Sequence, residues 1–223
     1  MIGFDRSGHN ARCTTGRPAR AATRLVAEFF ALRTGQVWDI QAAMVSADEK
    51  LPSAWTPDYG PTRGGWAPIT CDRACLTRFI DAYYAALIAN DPSALAHAAK
   101  ARITLNGDEV PLAKVFWDSA QKVRWRFDAV NQRLGDTGTQ VVITNADGSE
   151  TMEMLRLKVA SGAITEMEIL RCNQSDIAAN WWGPEQLDKE PSQYLKLPIP
   201  PAERNSYYEL VAIGDGYFRA FQT

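Results

Sequence analysis

The sequence lacks the features that identify several large functional classes. It has no apolar run near the roughly 18 residues that cross a bilayer, so we expect no membrane partner. It contains no Gly-rich phosphate loop, no H-E-x-x-H pair and no redox C-x-x-C pair. Its net charge of -2 and its pI near 5.8 argue against a nucleic-acid partner, because nucleic-acid binders concentrate Lys and Arg on one face.

Histidine and cysteine are scarce, with two and four residues respectively. A zinc site needs more ligands than His9 and His97 supply, so we expect no metal, and nothing indicates another cofactor. The four cysteines allow three complete pairings, and buried free thiols are an equal alternative. They are Cys13, Cys71, Cys75 and Cys172. We also expect no secretory signal in this chain, which leaves a secreted parent protein or the cytoplasm as its location.

Two pairs of similar segments within the sequence predict a partial internal duplication. The segment DAYYAAL at 81–87 returns as DGYFRAF at 215–221. The segment FALRTGQV at 30–37 is matched by LKVASGAI at 157–164. Together they indicate one complete copy in the middle of the chain, flanked by pieces of a second copy.

The second pair of similar segments aligns without a gap. Gly35 and Gly162 lie 127 positions apart, as do Trp55 and Trp182. No other identities occur between the aligned stretches, so the duplication rests on matched apolar positions. The alternative is that any two β-hairpins look alike.

Turn and linker composition divides the chain into five expected segments. They are 1–55, the C-terminal hairpin part of a first copy; 56–67, a linker; 68–183, a complete domain; 184–202, a Pro-rich linker; and 203–223, the first helix of a further or permuted copy.

Hydrophobic periodicity predicts the elements within these segments. The central segment opens with a helix that either Thr70 or Asp72 can cap, and Tyr83 lies on its buried stripe. Three helices before a curled antiparallel sheet predict an α+β fold in the shape of a half-open cone. The further helices are expected at 94–101, 112–122 and 203–221, and the strands at 25–32, 37–45, 103–105, 123–130, 140–144, 152–159 and 164–171.

The end of the first predicted helix carries a family resemblance. Its sequence YYAALIAND at 83–91 is similar to the Y-x-A-A-L-x-x-x-D helix end of ketosteroid isomerases and SnoaL-like cyclases. The start, CDRACL at 71–76, resembles that of an uncharacterised NTF2-like family with a CDRxCL helix start. Resemblance to the NTF2-like, or SnoaL-like, superfamily implies a cone of curved antiparallel sheet around an apolar pocket. The internal repeats add the expectation of an incomplete second copy.

The resemblance also indicates which residues of this sequence occupy the catalytic positions of ketosteroid isomerase. Tyr83 aligns with the tyrosine that donates a hydrogen bond to a developing enolate oxygen. The general base would fall near Leu105 and the protonated oxyanion acid near Met154, and neither residue exchanges a proton. Shifting the alignment by one or two residues brings four polar residues near these two positions. We expect all four to be solvated, since such carboxylates usually are, and Glu153 points to the opposite side of its strand from Met154. They are Asn106, Asp108, Glu109 and Glu153.

Seven residues are the candidates for a site. Tyr83 and His97 are the catalytic candidates, although Tyr83 also fits a core tyrosine and His97 a surface residue on the second helix. Arg126 and Arg156 either pair with carboxylates or enter the cone and orient an anionic ligand. The candidate ligand-binding residues are Trp117, Trp125, Arg126, Met154 and Arg156.

Two functional hypotheses follow, and they leave open whether the protein is an enzyme. The first is a small-molecule pocket protein that acts on a small apolar metabolite as a cofactor-independent lyase, isomerase or dehydratase. The second is a non-catalytic structural or interaction module that pairs through its sheet, as a homodimer or an intramolecular pseudo-dimer.

Overall fold

The computed structural model describes four parts of the chain, the first two by their backbone alone: 22–33, 36–48, 70–173 and 199–219. The predicted linker at 56–67 and most of the one at 184–202 lie outside the described residues, as do His9 and Cys13. Within the four parts, every helix is too short or too polar to span a bilayer.

The first two parts form the hairpin that the sequence predicts. Strands β1 (Ala22–Arg33) and β2 (Gln36–Asp48) are antiparallel and form a two-stranded sheet of their own. Both are longer than expected, because cross-strand pairing extends to Ala22 and Asp48 beyond the apolar runs.

Helix α1 (Arg73–Ala89) opens the central domain. Of the two predicted caps, Asp72 is the one used, since its Oδ1 accepts a hydrogen bond from the Cys75 backbone N–H at 2.8 Å. Asn90 ends the helix in the left-handed conformation, at φ 50°. A disulfide joins Cys71 to Cys75. The buried side chains of the helix form the expected stripe: Leu76, Ile80, Tyr83, Tyr84, Ala86 and Leu87.

A six-stranded sheet follows, in the order β4-β3-β8-β7-β6-β5. Neighbouring strands are antiparallel except β3 and β8, which are parallel. With α1 against one face, this sheet confirms the predicted α+β class. The strands are β3 (His97–Leu105), β4 (Asp108–Glu109), β5 (Ala120–Asn131), β6 (Asp136–Asn145), β7 (Glu150–Ala160) and β8 (Ala163–Asn173).

The helices predicted at 94–101 and 112–122 are wrong. A 3-10 turn at Pro92–Ala94 and the start of β3 replace the first one. Its alanines favour helix locally, but pairing of β3 with β8 satisfies the backbone and overrides that preference. A 3-10 turn at Leu112–Lys114 and the start of β5 replace the second one, because β5 already pairs with β6 at Ala120.

The sheet has two distinct faces, since successive side chains of a strand point to opposite sides. The inner face lies against α1, and Glu153, Leu155 and Leu157 of β7 belong to it. The outer face carries Met154 and Arg156 of the same strand. The main core therefore lies between α1 and the inner face.

The last described element is helix α2 (Tyr207–Arg219). It starts later than the predicted 203, because Pro201–Glu203 form a 3-10 turn and a capping box follows. The Ser206 N–H donates to Glu209 Oε2 at 2.6 Å, and the Glu209 N–H donates to Ser206 Oγ at 3.3 Å. Three large apolar side chains on this helix are exposed: Tyr208, Leu210 and Val211.

Candidate functional site

A buried network joins Tyr83 of α1 to the inner face of the sheet. The Tyr83 hydroxyl donates to Glu153 Oε1 at 3.0 Å, and both side chains have 0% exposure. Arg171 lies directly opposite Glu153 on β8. Its Nε and Nη2 donate to Glu153 Oε2 at 3.0 and 2.7 Å. Both carboxylate oxygens of Glu153 are therefore occupied by protein donors.

Arg171 is in turn held from several sides. Its Nη2 donates to the Val115 carbonyl at 2.7 Å, and its guanidinium lies 3.8 Å from the centre of the Trp117 ring. Its backbone N–H donates to Asn106 Oδ1 at 2.7 Å. The Trp117 indole N–H donates to Asn145 Oδ1 at 3.0 Å, which fixes the ring. The network is therefore rigidly supported, as a buried charged pair requires.

The electrostatics keep Tyr83 protonated. Burial raises the pKa of Tyr83 well above its usual value, the negative charge of Glu153 raises it further, and Arg171 opposes this. Tyr83 is thus a permanent donor, and its one proton is already used by Glu153. It is not free to donate to a ligand oxygen in this arrangement.

Tyr84, the next residue of the helix, differs sharply in its hydrogen bonding. Its hydroxyl is buried and has no hydrogen-bond partner among the residues that the structure describes. Its ring makes an edge contact with Tyr83, at 4.9 Å between centroids, and Arg126 lies 5.7 Å from its centre. Burial raises the pKa of Tyr84 well above its usual value, Glu153, Tyr83 and Asp128 raise it further, and Arg126 opposes this. The result is a protonated donor without an acceptor in the part of the chain that the structure describes.

Arg126 closes the same end of the inner face, where α1 meets β5. Its Nη2 donates to Asp128 Oδ2 at 2.6 Å, and its Nη1 lies 2.7 Å from Asp81 Oδ1. Asp128 also accepts from Thr139 Oγ1 at 3.0 Å. Arg126 therefore faces the cone, but two carboxylates already neutralise it. A free anion-binding guanidinium is not available here.

The other candidate residues lie apart from Tyr83. Trp125 is half-buried on the outer side of β5, in register with Val142. Met154 is buried on the outer face, one residue from Glu153. Arg156, on that face too, binds Asp136, Glu166 and Glu168 at 2.5–3.2 Å. Of the ligand-binding candidates, only Trp117 touches the Tyr83 network, through Arg171.

His97 does not lie on a helix as expected. It is exposed at the start of β3, and its Nδ1 lies 3.1 Å from the Ala98 carbonyl. Among the described residues, this side-chain contact of His97 is therefore local. It does not give His97 a general-base role.

The sequence prediction missed Glu153, Arg171 and Asn106 as a group. It placed Met154 inward and Glu153 in solvent, which is wrong by one position of the strand. Both faces of β7 are buried, so alternation alone did not indicate which face meets α1. The available signal was the pair itself: a hairpin register that sets Glu153 opposite Arg171 places both on one face.

No protein-family model matches the chain, and no curated protein is detectably similar to it. Three solved structures resemble it. One, provisionally described as a ketosteroid isomerase from Kribbella flavida, has a TM-score of 0.36 and 14% identity over 59% of this chain and 95% of its own. Another, provisionally described as a hydroxylase from Streptomyces galilaeus, has a TM-score of 0.38 and 14% identity over 63% and 95%.

The third is an NTF2-like protein of unknown function from Shewanella baltica, with a TM-score of 0.30 and 11% identity over 43% of this chain and 90% of its own. Similarity at this level concerns the fold and carries no activity with it. The chain's own layout is more direct: one long helix lies across a curved, unclosed sheet whose strands follow the order β4-β3-β8-β7-β6-β5. By that layout, the central region 70–173 has an α+β fold that resembles the cone fold of the NTF2-like superfamily.

Proposed function

We propose that the central domain is a small-molecule-binding protein, with its site at the end of the inner face where α1 meets β5. The observation that carries the proposal is the Tyr84 hydroxyl, which is buried without an acceptor among the described residues. An unpaired buried polar group is costly, so such groups are rare unless a ligand or water completes them. A ligand that accepts a hydrogen bond from Tyr84 would remove this cost.

The surrounding charges favour a neutral ligand. Glu153 and Asp128 both raise the pKa of Tyr84, so both of their charges act at its hydroxyl. Arg126 lowers that pKa and partly offsets them, but it is shared between Asp81 and Asp128, which leaves a net negative charge around it. An anion at this position would meet like charge. We therefore propose an apolar compound with a neutral carbonyl oxygen as the ligand class.

The same contacts favour binding over proton transfer at Tyr83. An oxyanion donor must have a proton directed at the substrate, and that of Tyr83 is directed at Glu153. A general base must reach the substrate, and Glu153 has 0% exposure and accepts bonds on both oxygens. Lyase, isomerase or dehydratase activity would therefore need acid and base groups other than these two.

Isothermal titration calorimetry tests the binding proposal. The probes are small aromatic ketones, each paired with the hydrocarbon of the same skeleton, and the proteins are wild type, Tyr84→Phe and the exposed control Tyr208→Phe. We expect wild type to prefer a ketone over its hydrocarbon by about tenfold, the value of one hydrogen bond. Tyr84→Phe should abolish that preference, and the control should keep it.

Two outcomes contradict the proposal. If no ketone of the panel binds to wild type, the domain does not bind this ligand class. If ketones bind with the same preference in Tyr84→Phe, the site lies elsewhere, and Tyr84 is a core residue.

A second candidate function, a non-catalytic interaction module, is favoured by a different observation. Residues of the outer face are buried although α1 lies on the opposite side, as expected of a sheet that serves as an interface. They are Val142, Met152, Met154, Leu170 and Cys172. These side chains are already buried within the single chain, so light scattering should give a mass near 24.7 kDa if the interface is intramolecular, and a larger mass would indicate that it joins separate molecules.

A further inference from the structure

The outer face of β6, β7 and β8 is apolar and covered. Met152 and Met154 have 3% exposure each, and Val142 has 0%. These side chains do not belong to the core cluster around α1. A different part of the protein must therefore exclude water from them.

Strand β2 provides the first indication of what covers this face. It comes close to β8, yet the two strands belong to different sheets and are not hydrogen-bonded to each other. Contact without pairing is what two sheets packed face to face show. The hairpin of β1 and β2 is therefore near the outer face rather than an extension of the sheet.

The bounds of the hairpin strands agree with the 127-position register of the sequence. Shifted by that amount, β1 corresponds to 149–160 and β2 to 163–175. The strands observed at those positions are β7 (Glu150–Ala160) and β8 (Ala163–Asn173). The hairpin thus matches the last two strands of the domain in length, order and turn position.

We propose that the β1–β2 hairpin covers the outer face as the counterpart of β7 and β8 from a second copy, so that one chain forms a pseudo-dimer. In a two-fold interface the same surface occurs on both sides, and equivalent elements meet. The contact between β2 and β8 is of this kind, because these two strands are equivalent in the register. This inference is independent of the proposed ligand.

The sequence of the hairpin fits that role. Three residues of β7 lie on the outer face: Met152, Met154 and Arg156. In the 127-position register, they correspond to Leu25, Ala27 and Phe29 of β1. All three hairpin residues are apolar. The hairpin sequence therefore supplies apolar residues at the register positions that the proposal requires.

A covalent connection follows from the cysteines. Cys172, on the outer face of β8, is disulfide-bonded, and Cys71 and Cys75 are bonded to each other. Cys13 is the remaining cysteine of the sequence and precedes β1 by nine positions. The proposal therefore includes a Cys13–Cys172 disulfide that ties the hairpin to the face it covers. Its formation transfers two electrons from the two thiols to an external disulfide oxidant, with loss of two protons.

Mapping the disulfides of the full-length chain tests the proposal directly. Non-reducing digestion and mass spectrometry should yield a peptide that links Cys13 to Cys172, from protein whose mass by light scattering is near 24.7 kDa. A covalent dimer through Cys172, a mass twice as large, or a bond from Cys172 to Cys71 or Cys75 would each overturn it.

A double-mutant cycle on the full chain tests the packing independently of the disulfide. Phe29→Asp and Met154→Asp should each lower the urea midpoint, and the double variant should lower it by clearly less than the two shifts together, because both disrupt one interface. Ala160→Asp, at an exposed position of β7, is the matched control and should be additive with Phe29→Asp. Additive shifts for the Phe29 and Met154 pair would show that the hairpin does not cover this face.

Discussion

The adjacent residues Tyr83 and Tyr84 allow a sharp test of the buried network. Each is replaced by Phe, which removes one hydroxyl oxygen and leaves the ring. Both side chains are buried, so the two substitutions change similar environments. The difference lies in the partner: Tyr83 donates to Glu153, and the Tyr84 hydroxyl has no partner in the described part of the chain.

The expected magnitudes follow from that difference. Tyr83→Phe removes a bond to a charged group and leaves Glu153 Oε1 buried without its donor, which costs about 1–3 kcal/mol. Tyr84→Phe removes a buried group that makes no bond, so its effect should lie between zero and a gain of about 1 kcal/mol. The variants should therefore differ by about 2 kcal/mol, or up to about 30-fold in the unfolding equilibrium.

Urea denaturation followed by far-UV circular dichroism measures the effect, since that signal does not depend on the ring substituted. The midpoint should fall in Tyr83→Phe with an unchanged slope. The exposed Tyr208→Phe should match wild type. Equal losses in Tyr83→Phe and Tyr84→Phe, or a larger loss in Tyr84→Phe, would refute the assignment of partners.

Three further predictions concern charges and caps. Glu153→Gln should cost about 3 kcal/mol in urea denaturation, more than Tyr83→Phe, because it leaves the Arg171 charge buried without its carboxylate. Burial raises the pKa of Glu168, and Arg156 opposes this, so folded Glu168 binds a proton before the unfolded chain does. Wild type should therefore gain stability relative to Glu168→Gln as the pH falls from about 7 to about 5, and a constant difference in midpoint would contradict this. Asp72→Ala should cost about 1 kcal/mol by removing the cap of α1, whereas Asp72→Asn should retain most of it, as thermal unfolding can show.

The sequence predicts secondary structure correctly where local chemistry and the fold agree. The stripe and the N-terminal cap of α1 lie within one segment, so periodicity identifies the stripe and capping rules narrow the cap to Thr70 or Asp72. The long antiparallel strands β5 to β8 are apolar runs separated by short turns, and the sequence predicts the existence of each. In each case the deciding interactions are close in sequence.

The errors arose where distant residues decide. The alanine-rich stretch at 94–101 favours helix by itself, and only its pairing with β8, some seventy residues later, makes it a strand. Glu153 was assigned to solvent because β7 has one buried row on each face, and alternation is then ambiguous. Which row faces α1 is decided by Tyr83 and Arg171, and neither is near Glu153 in sequence.

The cross-strand register explains why Tyr83 cannot be converted to an oxyanion donor by restoring a base. Arg126, Val141, Glu153 and Arg171 are successive partners across β5, β6, β7 and β8. Val141 separates Arg126 from Glu153, so the carboxylate is paired only on the Arg171 side, and its other oxygen takes the Tyr83 proton. A carboxylate introduced at Leu105, where the resemblance would put the base, leaves that bond unchanged. The site would gain a base and still lack a free donor at Tyr83, whereas Tyr84 already has one.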